Sequence, residues 1–148
     1  TGDPLLVALV ADRNTPRMEG YERQGLLGAN QAIFAGAILM RNAAGQLIEG
    51  ATATGSIGAG VALERLASTT AGVTPIRWRP GIYRFANSAA GDLIAAADIG
   101  LLCYIVDDQT VAKTNGTNTR SPAGFVEGVD AQGVWVRFDE PLARAMLS

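Results

Sequence analysis

The sequence predicts a mainly β fold: a small β-barrel or β-sandwich-like body with one short helical turn and an extended N-terminal arm. Three observations lead to this prediction. Small residues are abundant, with 18 glycines among 148 residues. Apolar residues make up 48% of the chain, yet no long stretch keeps the 3.6-residue spacing of an amphipathic helix. Short apolar segments alternate instead with turn-forming residues, which is typical of many short strands.

The length suits a single domain, which we divide into three parts. Residues 1–30 are predicted to be an N-terminal arm, residues 31–138 a β-rich body, and residues 139–148 a C-terminal tail. Leu5–Ala11 is a continuous apolar run, predicted to be a strand that is buried on both faces or buried against another subunit. The rest of the arm has no periodicity, and thirteen extended residues reach roughly 40 Å. The arm is therefore long enough to contact a partner beyond its own body.

Within the body, short strands are expected between glycine, proline and polar turns. In chain order they are Ile33–Arg41 with a break at Gly36, Leu47–Glu49, Val61–Leu66, Pro75–Trp78, Ile82–Ala86 continuing the same sheet, Leu101–Val106, Val111–Lys113, Phe125–Val129 and Val134–Phe138. Ile94–Ile99 is long enough for one helical turn only, which Gly100 would end. Leu142–Leu147 is predicted to be a short amphipathic tail.

Composition excludes several classes of function. The chain has no histidine, which removes the commonest general base and a Ser-His-Asp triad. The net charge is −2 and the basic residues are scattered, so no nucleic-acid partner is predicted. The longest apolar run falls far short of the roughly 20 residues of a membrane span, so no membrane partner is predicted. Cys103 is the only cysteine, and its apolar neighbours predict a buried, unreactive thiol.

The glycine-rich segment Gly55–Gly60 resembles a phosphate-binding loop only superficially. No Gly-Lys-Ser/Thr follows it, and no long helix is predicted after it. We interpret it as a loop or bulged strand where two backbones approach closely.

The acidic residues invite an alternative reading as a catalytic or metal site. Asp107 and Asp108 are adjacent, but adjacent strand residues point to opposite faces, and aspartates in turns bond the backbone. Asp98 lies near the start of the helical turn with Asp92 upstream, and carboxylates in such positions accept hydrogen bonds from free N–H groups. Lys113 is expected in solvent. We therefore predict no catalytic residue, no cofactor and no metal.

Three arginines, Arg77, Arg79 and Arg84, lie close together in the sequence around two aromatic residues, Trp78 and Tyr83. Guanidinium groups suit phosphate, so anion binding is one interpretation. Salt bridges between subunits are the interpretation that we favour.

Several motifs in the second half of the chain together carry a family resemblance. They are Gly81-Ile-Tyr-Arg-Phe-Ala-Asn87, Asp92-Leu-Ile-x-Ala-Ala-Asp-Ile-Gly100, Cys103-Tyr-Ile-Val-Asp-Asp-Gln-Thr-Val-Ala-Lys-Thr114, Ser121-x-Ala-Gly-x-Val126 and Gly133-Val-Trp-Val136. In this order they resemble capsid cement, or head decoration, proteins of tailed bacteriophages. The likeness covers residues 81–138 well and 33–138 loosely. Members of that family often carry threonine where this chain has Ala95, so Asp98 is expected to hold the helical turn instead.

The resemblance implies a structural virion protein without enzymatic activity. It would be made in the bacterial host cytoplasm and bind the outer surface of the phage head, holding neighbouring major capsid subunits together. Its partners would be the major capsid protein and copies of itself, as a trimer or, less favoured, a dimer. The residues predicted to form the interface are Leu5, Leu6, Val7, Arg13, Pro16, Arg17, Met18 and Tyr21.

Two other functions stay open at this point. One is a small β-barrel hydrolase that uses Asp107 or Asp108. The other is a carbohydrate-binding surface module, which would require Trp78 or Trp135 to lie exposed on the surface.

Overall fold

The computed structural model describes residues 8–18 and 21–147. Its strands are β1 (Arg23–Leu26), β2 (Ala32–Ile33), β3 (Ile38–Arg41), β4 (Leu47–Glu49), β5 (Ile57–Ala62), β6 (Leu66–Ala67), β7 (Pro75–Arg79), β8 (Ile82–Phe85), β9 (Leu102–Ile105), β10 (Val111–Ala112), β11 (Pro122–Asp130) and β12 (Gly133–Arg137). Two 3-10 turns lie at Ala90–Asp92 and Ala96–Asp98, and helix α1 covers Glu140–Met146. The mainly β prediction is confirmed.

Two five-stranded antiparallel sheets form the body. The first has the strand order β1-β7-β5-β3-β4 and the second β10-β9-β11-β12-β8, while β2 and β6 form a separate ribbon. In the first sheet, one isolated bridge, Leu27–Leu47, links the ends of the two outer strands. In the second sheet, the bridge Ala86–Thr110 does the same. Across the described residues the sheets do not close into a barrel, so of the two predicted architectures the sandwich-like one applies.

The first sheet has a hydrophobic core on each of its faces. In β3, Ile38 and Met40 point into the core shared with the second sheet. Leu39, between them, points into a core on the opposite face together with Ile76 and Trp78. Because side chains alternate along a strand, a strand between two cores must be apolar on both faces, as β3 is from Ile38 to Met40.

Strand β5 begins earlier than the sequence predicted. The predicted strand was Val61–Leu66, but β5 covers Ile57–Ala62 and includes most of the glycine-rich segment. A Cβ atom on Gly58 would lie 2.1 Å from the carbonyl oxygen of Ala123 in β11. The two sheets therefore touch backbone to backbone here, and the register of β3 with β5 shifts beside this point. The interpretation of the glycine-rich segment as a bulged strand where two backbones approach closely is confirmed.

Two further predictions about the sheets were wrong. Ile82–Ala86 does not continue the sheet of β7, because β8 pairs with β12 in the second sheet. The arm also ends before residue 30, because β1 pairs with β7 from Arg23 to Leu26 and Leu27 is fully buried. Residues 23–30 therefore belong to the body. Their polar sequence gave no strand signal, since β1 is an outer strand with exposed side chains.

The local predictions for the second sheet are confirmed. Val134, Val136 and Phe138 are buried on one face of the hairpin formed by β11 and β12, and Trp135 lies on the other. Gly100 follows the second 3-10 turn with φ +90°, a conformation that glycine adopts without strain.

The predicted C-terminal tail forms helix α1, which docks on its own body. Ala143 is fully buried against Ile57 and Phe125. Asp139 caps the helix by accepting a hydrogen bond from the Leu142 N–H at 3.2 Å.

Candidate functional site

The described part of the N-terminal arm is exposed to solvent at every residue from 8 to 18. Residues 8–18 contain no strand, so the predicted strand Leu5–Ala11 is wrong for residues 8–11, while residues 5–7 lie outside the described residues. Large apolar side chains are exposed along it: Leu9 at 71%, Val10 at 101%, Met18 at 85% and Tyr21 at 75%. Exposed apolar groups concentrated in one short segment are typical of a surface that binds a partner.

The residues predicted to form the interface fall into two groups. Leu5, Leu6 and Val7 lie outside the described residues. Arg13, Pro16, Arg17, Met18 and Tyr21 are all exposed. Within this second group, the guanidinium of Arg13 donates a hydrogen bond to the Thr15 hydroxyl at 2.8 Å, which shapes the arm locally.

Salt bridges of Arg77 lie where the arm joins the body. The guanidinium of Arg77 on β7 lies 2.9 Å from the Glu22 carboxylate and 3.5 Å from that of Glu64. Immediately after Glu22, Arg23 lies opposite Trp78 in the pairing of β1 with β7. The position where the arm leaves the body is therefore fixed by a strand and an ion pair.

A cleft lies beside this junction. Its lining includes Tyr21 of the arm, Arg23 and Trp78 of the first sheet and Glu140 of α1, and its volume is about 360 Å³. The guanidinium groups of Arg23 and Arg41 lie 5.7 and 5.5 Å from the centre of the Trp78 ring. Reasoning from the sequence missed this arrangement, because its members come from distant segments and no spacing relates them.

The predicted cluster Arg77, Arg79 and Arg84 does not converge on one site. Arg77 pairs with acids of the first sheet, whereas Arg84 lies on the second sheet, 3.7 Å from the Asp130 carboxylate. Both arginines are thus already paired within the chain. Salt bridges between subunits and anion binding both stay untested predictions for this group.

The polar residues of the segment 81–114 have structural partners. The Asp98 carboxylate accepts a hydrogen bond from the Ala95 N–H at 2.8 Å, and thereby holds the second 3-10 turn as expected. Asp107 accepts from the Gln109 N–H at 2.9 Å and shapes the turn before β10. Lys113 is half exposed, with its ammonium 3.8 Å from the Asp98 carboxylate.

Asp92 is part of a small polar network at the surface. It accepts a hydrogen bond from the Thr114 hydroxyl and lies 3.1 Å from the Arg120 guanidinium. The bond from Thr114, followed by that from Arg120, lowers the pKa of Asp92. This carboxylate therefore connects the first 3-10 turn to the loop after β10.

Cys103 is fully buried, as predicted. Burial raises the pKa of its thiol to about 12. The reactive thiolate is therefore scarce at neutral pH, and the group packs as a small apolar side chain.

The two tryptophans differ. Trp78 is 3% exposed, so it offers no platform for a sugar. Trp135 is 38% exposed and its indole N–H donates to the Asp130 carboxylate at 2.9 Å. This bond is the largest cause that lowers the pKa of Asp130. The Arg84 guanidinium lies 5.3 Å from the centre of the Trp135 ring, which restrains the ring.

Within residues 8–18 and 21–147, no three acidic or cysteine side chains come together in a way that would hold a metal ion. In the same ranges no helix has the length and apolar character needed to cross a membrane.

Comparisons with protein-family models, with curated proteins and with solved structures found no match to this chain. The resemblance to phage head decoration proteins therefore stays a prediction drawn from the sequence motifs.

Proposed function

We propose that this chain is a structural virion protein that binds the outer surface of a phage head and stabilises contacts between major capsid subunits. The observation that carries the proposal is the uncovered arm, which places Leu9, Val10, Met18 and Tyr21 in solvent next to a packed body. Exposing these side chains is unfavourable in an isolated subunit, and a protein partner that covers them removes this cost.

The arrangement of the arm suits binding by strand addition. Residues 8–18 pair with no strand of the body, so this segment is able to add to an exposed sheet edge of a partner. Its start on the body is fixed by Glu22, Arg77 and β1. The arm would then contact the major capsid protein, and the faces of the body would contact copies of the same chain, with a trimer favoured and a dimer possible.

Deleting residues 1–21 tests the proposal. This cut keeps Glu22 and all of β1, so we expect a folded body whose thermal unfolding changes by less than about 3 °C. Full-length and truncated protein are then mixed with purified heads that lack this chain, and binding is measured by co-sedimentation. The proposal expects the truncated protein to stay in the supernatant. Full occupancy of the heads by the truncated protein would contradict it.

Two matched point variants distinguish the contribution of the arm's apolar side chains to head binding from the contribution of its positive charge. Met18→Ser removes an exposed apolar side chain, and Arg13→Gln removes a positive charge from the same segment. If apolar burial dominates binding, Met18→Ser weakens it by roughly tenfold, and Arg13→Gln has the smaller effect.

One alternative function has an observation in its favour. The partly exposed Trp135, held in place by Asp130 and Arg84, has the rigidity of an aromatic platform for a sugar ring. A glycan array followed by Trp135→Ala tests it: a glycan bound by the full chain and lost in the variant would favour the carbohydrate-binding module.

The hydrolase alternative would use Asp107 or Asp108. The carboxylate of Asp107 already accepts a backbone hydrogen bond within its turn. Replacing both aspartates by asparagine discriminates the two functions, because a hydrolase would lose turnover whereas a decoration protein would still bind heads.

A further inference from the structure

Arg23 is an exposed arginine with an unusual set of neighbours. Its guanidinium stacks on the buried ring of Trp78, 5.7 Å from the ring centre. Among the residues that the structure describes, no carboxylate lies within ion-pair distance of Arg23. The carboxylates around it are each paired with another arginine: Glu22 with Arg77 at 2.9 Å, Glu140 with Arg41 at 2.7 Å and Arg144 at 3.5 Å, and Asp139 with Arg137 at 3.1 Å.

Arg41 stacks on an aromatic ring in the same way as Arg23 and also forms a salt bridge with a carboxylate. It stacks on the same Trp78 ring at 5.5 Å and donates from Nε to the Glu140 carboxylate at 2.7 Å. A guanidinium held flat on an aromatic face keeps its N–H edge free for a carboxylate, and little further rotational freedom is lost when the pair forms. Arg23 has the same support but lacks the carboxylate.

Space for an acidic side chain lies on both sides of Arg23. The cleft of about 360 Å³ described above lies toward Tyr21 and Trp78. A second cleft of about 590 Å³ lies between Arg23 and helix α1, and Arg144 adds a second guanidinium to its wall.

We propose that this double cleft, which we term the Arg23 cleft, binds an acidic peptide segment of a partner protein. A glutamate or aspartate carboxylate of the segment pairs with Arg23, and a neighbouring acid approaches Arg144. Nucleic acid fits less well, because its binding depends on many phosphate contacts, whereas only two cations, Arg23 and Arg144, line the cleft. The inference does not depend on the proposed function, since an acidic segment of any protein would fit.

The two tryptophans provide a direct assay. The 15N-labelled protein has two indole N–H resonances, and only that of Trp78 reports on the ring beneath Arg23. We expect titration with a hexaglutamate peptide to shift the Trp78 resonance and to leave that of Trp135 unmoved. Raising the salt concentration should weaken the effect.

Arg65 provides the matched control for Arg23. It is also exposed, and it stacks on Phe34 with 5.0 Å to the ring centre, away from the cleft. Arg23→Gln should weaken binding of hexaglutamate roughly fivefold or more, whereas Arg65→Gln should leave it unchanged. Arg144→Gln, on the exposed side of α1, should also weaken binding and serves as the test if Arg23→Gln does not fold.

Three results would overturn the inference. They are a Trp78 resonance that does not move with hexaglutamate, equal weakening by Arg65→Gln and Arg23→Gln, and a hexanucleotide of single-stranded DNA that binds as tightly as the peptide.

Discussion

Replacing Gly58 by alanine tests how the two sheets meet. The added Cβ would lie 2.1 Å from the Ala123 carbonyl oxygen and 2.8 Å from two other backbone atoms of that residue. Because backbone atoms cannot rotate away as side chains do, the sheets must separate by about 1 Å or one strand must distort. Overpacking of this kind costs about 1–3 kcal/mol, and we expect the upper end of that range.

A cost of about 3 kcal/mol lowers the midpoint of thermal unfolding of a domain this size by roughly 6–12 °C. Differential scanning calorimetry measures it. Gly91→Ala is the matched control, because no atom lies within 4 Å of its added Cβ and its φ is outside the left-handed region. A Gly58→Ala midpoint within 2 °C of the parent would refute the close approach of the sheets. Loss of stability in both variants would mean that the effect is not specific to that approach.

Three further predictions concern single side chains. Cys103 should react with a thiol reagent only when the chain unfolds, so native protein that labels at the rate of free cysteine would contradict its burial. Burial and then the Asp108 charge raise the pKa of Glu49, so its contribution to stability is present below pH 4 and is lost as pH rises through its folded pKa. Glu49→Gln should therefore gain stability relative to the parent between pH 4 and pH 7 in urea titrations, and a gain at pH 3 instead would be inconsistent with that sign. Asp98→Ala should cost about 1 kcal/mol by removing the acceptor of the Ala95 N–H, whereas an unchanged urea midpoint would rule out this role.

Local signals explain which elements the sequence predicted well. In β12, buried Val134 and Val136 alternate with the more exposed Trp135 after a turn, and β9 has the apolar sequence Leu-Cys-Tyr-Ile. Asp98 could be assigned to the 3-10 turn because its partner, Ala95, lies three positions away. In each case the atoms that determine the structure are close in sequence.

Non-local contacts explain the failures. Strand β1 has the sequence Arg-Gln-Gly-Leu, and it is a strand because it pairs with β7, about 50 residues away. The glycines of β5 resemble a loop until β11 is placed against them. The Arg23 cleft combines β1, β7 and α1, which no sequence spacing could bring together.

The exposed arm was predicted from composition and proline content, but its boundary was not. Where the arm ends depends on the pairing of Arg23 with Trp78, which moves the junction from residue 30 to residue 22. The junction matters for experiments, because a cut after residue 24 would remove half of β1 and confuse loss of binding with loss of folding.

The number of copies of this chain on each purified phage head tests the central claim most directly. It is measured by quantitative mass spectrometry of heads freed of unbound protein, with the major capsid protein as the internal standard. A structural decoration protein should be present in a fixed ratio to the major capsid protein that corresponds to one set of symmetry-related positions. Absence from the heads, or a ratio that varies freely between preparations, would contradict the proposed function.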